Sequence, residues 1–185
     1  FPKQNSLLEN GQNNLISEKD FVAKIIAGKE AKQDKNFMVI ARIEALISGA
    51  GMDEALKRAT AYENAGADAI LIHSKQKTPD EIFEFTDSWK GSSPIIVIPT
   101  TYDSVSIDEL ILHEIKAVIY ANQTLRAAHS SMSKILKQMI NSNRLTDVKE
   151  KISSMEDIFE LQEMYQIKSD EESIEAKLRE LGYIT

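Results

Sequence analysis

At 185 residues, with 42% hydrophobic and 28% charged side chains, the chain is long enough to bury one sizeable core, and its composition is that of an ordinary globular domain. It has no cysteine, which excludes a disulfide scaffold and a thiolate metal site. A formal charge of −7 and a pI near 5.1 argue against nucleic acid as a partner but leave room for a small anion in a locally cationic pocket.

The opening Phe1-Pro2-Lys3-Gln4-Asn5-Ser6 has no signal-peptide layout, and no stretch approaches the roughly 18 apolar residues of a membrane span. The expectation is a cytoplasmic protein without membrane contact. A start at Phe1 is compatible with processing or with a chain that begins partway through its domain.

Ser17 can cap a helix to about Glu30, with Phe21, Ile25 and Ile26 on one face. The apolar run 37–42 reads as a buried strand ending on Arg42. Ser48-Gly49-Ala50-Gly51 is a loop opening a helix from Met52 to about Ala65, whose apolar face is Met52, Ala55, Leu56, Ala59 and Tyr62. Gly66 supplies a left-handed stop.

Strand 67–73 follows and ends on His73. Thr78-Pro79-Asp80-Glu81 then predicts a helix start: a Thr cap, Pro in the first position and Glu in the third, with Ile82, Phe85 and Trp89 turned inward. Strand 94–98 leads to Pro99-Thr100. Ser106-Ile107-Asp108-Glu109 is a second capping box, opening a short helix before strand 115–121. A long helix is expected from about Leu125 to Asn141, then helices near 154–165 and 170–181, the last closed by Gly182. The acidic run Ser169-Asp170-Glu171-Glu172 reads as that helix's N-terminus. Methionines and aromatics at helical spacing are expected in the core.

Four strand–helix units with near-continuous Val, Ile and Leu strands imply a parallel sheet covered on both faces. An open flavodoxin-like sheet and half of a (β/α)8 barrel, which needs roughly 250 residues in full, both fit that pattern.

In such folds ligands collect at the carboxyl ends of the strands. Arg42 ends an apolar strand there, and a buried guanidinium needs an acidic or anionic partner. Glu44 is either that partner or a second wall of the same cavity. His73 is either a strand-end histidine bonded to a loop carbonyl or a donor to an anionic oxygen. His113 and His129 fall on helices and read as packing or solvent-facing. No His/Asp/Glu spacing suggests a metal site within the chain; Ser48-Gly49-Ala50-Gly51 resembles a phosphate-cradling loop but lacks a Walker Lys-Ser/Thr and a full G-x-G-x-x-G, so a helix-start loop is the better account.

Several strings together resemble the phosphoenolpyruvate mutase family of the isocitrate lyase/phosphoenolpyruvate mutase superfamily. They are Phe1-Pro2-Lys3-Gln4-Asn5-Ser6-Leu7, Ile40-Ala41-Arg42-Ile43-Glu44-Ala45, 53–59, 65–75, Ile98-Pro99-Thr100 and 121–127. The first matches the latter part of the family's E-D-K-x-F-P-K-x-N-S gating loop. The resemblance implies the C-terminal portion of a (β/α)8 TIM-type barrel, carrying the gating loop (1–16), the last four βα units (17–145) and C-terminal helices (146–185) exchanged between subunits.

It also implies a homodimer or homotetramer, Mg2+ as cofactor, and dependence on an upstream half of the barrel that holds the metal ligands. The implied reaction is an isomerase step interconverting phosphoenolpyruvate and phosphonopyruvate in phosphonate biosynthesis. Arg42 and His73 would contact the phosphoryl group, Asn5 would donate to it, and Lys3, Ser6 and Leu7 would belong to the closing loop. Rival readings are phosphonopyruvate hydrolase, a carbon–carbon lyase of the same superfamily, and a non-catalytic α/β binding module.

Overall fold

A computed structural model describes residues 14–142 and 144–184. The chain divides into two compact units, Phe1–Asn122 and Gln123–Thr185. The first holds, in order, α1 (Glu18–Ala31), β1 (Ile40–Ile43), α2 (Ala45–Ser48), α3 (Met52–Asn64), β2 (Ala69–Ile72), α4 (Asp80–Ser88), β3 (Ile95–Val97), α5 (Ile107–Leu112) and β4 (Ile115–Val118).

The four strands pair in parallel in the order β1-β2-β3-β4, so each strand lies beside the next one in the chain. Strand alternation then sorts the side chains onto two faces. Ala41, Ile43, Ile70, Ile72, Ile95 and Val97 pack with helix residues Ala55, Ala59, Tyr62, Ile82 and Phe85, while Ala69, Leu71, Ile96 and Ile98 cluster on the opposite face. Arg42 is in register with Leu71 and so shares that second face.

The strands are shorter than their apolar runs. Phe37 and Met38 are exposed because β2 offers them no partner. At Val39 the ladder ends on Asp68, whose carboxylate takes the Val39 N–H at 2.8 Å and whose N–H reaches the Val39 carbonyl at 2.8 Å. Lys29 of α1 pairs with the same carboxylate at 2.6 Å, tying that helix to the sheet edge and, with the Val39 N–H, holding Asp68 below its ordinary pKa.

The predicted start at Thr78 is corrected. Pro79 occupies the cap position, its carbonyl accepting from Ile82 and Phe83, while the Thr78 hydroxyl donates to the Asp80 carboxylate. Glu81 is turned elsewhere, to Ser74. Ile82 and Phe85 are fully buried as expected, with Trp89 half-buried beside Phe85. The Ser106–Glu109 capping box forms as read.

The second unit holds α6 (Gln123–Asn141), α7 (Thr146–Lys149), α8 (Met155–Leu161) and α9 (Met164–Glu180). Glu163, in the left-handed region at φ 54°, separates α8 from α9, so Asp170–Glu172 lie inside a helix rather than at its start. Met132, Met139, Met155 and Tyr165 are exposed, which overturns the expectation that such residues are core here. Val148 alone is buried among the unit's described residues. Among the described residues no helix is long and apolar enough to cross a membrane.

Candidate active site

Arg42 and His73 stand at the carboxyl ends of neighbouring strands. The Arg42 Nε donates to Glu44 Oε1, two residues on, where the chain turns into α2. Arg42 thus has the acidic neighbour that a guanidinium on an apolar strand requires. Both side chains are partly exposed, at 32% and 27%.

His73 is 3% exposed. Burial, and then the charge of Arg42, lower its pKa to about 4, so the imidazole is neutral at pH 7. Its Nδ1 is buried and has no hydrogen-bond partner among the described residues. The reading of a strand-end histidine bonded to a loop carbonyl is therefore not met at Nδ1. A neutral imidazole carries one N–H donor, and beside a guanidinium that donor suits an anionic oxygen.

Ser74, the next residue, is fully buried. Its hydroxyl donates to Glu81 in the first turn of α4 and accepts the Gln76 N–H at 3.0 Å. Its carbonyl accepts from the Thr101 hydroxyl at 3.1 Å, which links the ends of β2 and β3. Tyr102 follows, wholly buried, its hydroxyl without a partner among the described residues and its pKa pushed up by burial.

Ser74, Glu81, Thr101 and Tyr102 escaped the sequence reading. Glu81 was legible only as a capping residue for Thr78, and nothing in a serine after a histidine marks it as buried. Lys3, Asn5, Ser6 and Leu7 lie outside the described residues.

His113 stacks on Phe83 with ring centroids 3.7 Å apart and places Nδ1 2.9 Å from Asp87 Oδ1, while His129 is exposed on α6. Gly49 closes α2 in the left-handed region and Gly51 caps α3. Among the described residues no group of three or more His, Asp or Glu side chains could hold a metal ion, so these residues do not by themselves fit a Mg2+ site.

A family model, phosphoenolpyruvate phosphomutase, matches residues 3–140. The chain belongs to this family. It is 46% identical over 162 residues to a phosphoenolpyruvate phosphomutase from Tetrahymena pyriformis, covering 88% of this chain and 54% of that protein. The crystal structure of a phosphoenolpyruvate phosphomutase from Streptomyces platensis subsp. rosaceus superposes with a TM-score of 0.90 at 41% identity, covering 94% of this chain and 60% of that one.

A phosphonopyruvate hydrolase structure, in complex with oxalate and Mg++, gives a TM-score of 0.82 at 39% identity, with 91% and 58% covered. The chain thus spans between half and two-thirds of the length of these relatives. Its parallel βα units are part of the family's (β/α)8 barrel, which decides the closure that periodicity left open.

Proposed function

We propose that this chain is the C-terminal part of a phosphoenolpyruvate mutase, an isomerase that interconverts phosphoenolpyruvate and phosphonopyruvate. The observation that carries this reading is the Arg42 guanidinium beside a buried, neutral His73 at adjacent strand ends. From phosphonopyruvate to phosphoenolpyruvate the C–P bond breaks and an O–P bond forms within the same set of atoms, and the reverse direction makes the C–P bond.

Arg42 holds the phosphoryl oxygens, and its charge offsets the charge spread over them in a loose transition state. His73 donates its N–H to one of those oxygens. Asn5 donates to the same group from the loop that carries Lys3, Ser6 and Leu7, and Leu7 keeps water away from the phosphoryl in transit. Mg2+ dependence belongs to this reading and is supported by the related hydrolase structure holding oxalate and Mg++; its ligands come from an upstream half of the barrel. Exposed apolar faces on α6, α8 and α9 support a homo-oligomer in which those helices pack on a second copy. A cytoplasmic location completes the proposal.

Phosphonopyruvate hydrolase is the second reading, since its relative is nearly as similar as the mutase structure, at 39% against 41% identity. There, water attacks phosphorus and pyruvate leaves. The test is ³¹P NMR of phosphonopyruvate with full-length protein and Mg2+. A phosphoenolpyruvate signal supports the mutase and inorganic phosphate the hydrolase; an unchanged spectrum removes both. An Arg42→Met variant should slow the reaction by on the order of 10²- to 10³-fold if the guanidinium meets developing charge.

A further inference from the structure

His73 raises a problem of aim. A histidine that works on a substrate through one ring nitrogen is commonly oriented by a hydrogen bond on the other. Here Nδ1 has no such bond among the described residues, and the ring is 3% exposed. Its direction must come from packing and from the backbone that carries it.

That backbone is held at the next residue. Ser74 uses its hydroxyl twice, as donor to Glu81 and as acceptor from the Gln76 N–H, and its carbonyl takes the Thr101 hydroxyl. Three separate segments therefore converge on one buried residue: the turn after β2, the first turn of α4 and the loop after β3. Removing the hydroxyl leaves the Gln76 N–H and the Glu81 carboxylate each short of a partner, and the turn loses its anchor to α4.

We propose that Ser74 is a positioning residue, its hydroxyl clamped between Glu81 and the Gln76 amide so that the turn after β2 aims the His73 imidazole at the bound phosphoryl group. The catalytic half of this statement rests on the phosphoryl-transfer reading above; the clamp itself does not.

The test uses full-length protein with Ser74→Ala, Glu81→Ala and Glu81→Gln. Ser74→Ala should lower kcat at least about tenfold with KM within about twofold, the pattern of a group needed in the transition state and not for binding. Glu81→Gln keeps an acceptor oxygen and should stay within about threefold of wild type, while Glu81→Ala falls with Ser74→Ala and the double variant is no worse than either single one. A kcat within twofold in Ser74→Ala, or Glu81→Gln falling as far as Glu81→Ala, overturns the proposal. If Ser74→Ala does not fold, the two Glu81 variants decide.

A second measurement separates the clamp from the chemistry. In histidine-labelled, ligand-free protein, Glu81→Ala sits eight positions from His73 and should still move and broaden the His73 ring resonance, assigned with His73→Gln. Inactive wild type with a moved His73 signal would remove phosphoryl transfer and leave the clamp standing. Active wild type with an unmoved signal would remove the clamp alone.

Discussion

Residues 14–122 bury Tyr62, Phe85, Ile72 and Ile82 to 2% exposure or less, whereas described residues of 123–184 bury Val148 alone and leave Leu125, Ile140 and Leu161 at 71%, 82% and 80%. Both regions carry helices with apolar residues at helical spacing. The difference lies in what those faces meet. In the first unit α3 and α4 lie on a sheet face whose alternate residues are all apolar, so each helix stripe finds a flat apolar surface. The second unit has no strand among its described residues, and apolar side chains of α6, α8 and α9 such as Ile140, Leu161 and Ile174 are exposed. Amphipathic spacing predicts that a face wants burial. It does not say whether the same chain supplies the cover.

The sharpest way to break this contrast is Phe85→Ala, which should cost about 3–5 kcal/mol of unfolding free energy because it opens a cavity in a fully buried site. A cost under 1 kcal/mol in a urea titration would mean that the sheet–helix layer is not a packed core.

Acid comes next. His73 has a folded pKa of about 4 against an ordinary 6.5, so the unfolded chain takes up that proton first as pH falls. Its contribution is complete above about pH 6.5 and is lost on the way down to pH 4, by about 3 kcal/mol in all. His73→Gln should flatten the fall in stability between pH 7 and 5; an unaltered slope would show that the imidazole is not held neutral by burial.

Tyr102→Phe is expected to run the other way. It removes a buried hydroxyl with no partner among the described residues and should stabilise the protein by about 1 kcal/mol. A loss of that size would reveal a bonded hydroxyl instead.

The smallest effect is expected at Ile140→Ser. With Ile140 82% exposed, the change should move the melting free energy of this chain, studied by itself, by less than about 0.5 kcal/mol. A large loss at dilute concentration would place α6 in a core within the single chain and end the contrast.

The site was only partly legible beforehand. Arg42 stood out because a guanidinium is costly at the end of an apolar strand, and the structure supplies Glu44 beside it. His73 stood out by place in the strand, but its depth and the missing partner at Nδ1 depend on what packs around it. Glu81 shows why local patterns mislead. It fits the third position of a capping box, yet a hydroxyl from the preceding turn competes for the same carboxylate and takes it.

What the sequence by itself determined here is local and periodic: four β–α units in order, apolar strands that demand cover on two faces, the Ser106 cap, and charged or polar residues at two strand ends. These follow from side-chain spacing, which the chain carries wherever it folds. Tertiary structure alone decided where each strand stops, because a ladder needs a partner opposite. It decided that Asp68 closes the first ladder, that Ser74 joins three segments, and that His73 is neutral. Each of these depends on groups 7 to 39 positions apart being brought within hydrogen-bond reach, or on water being excluded around them. No local pattern encodes either condition.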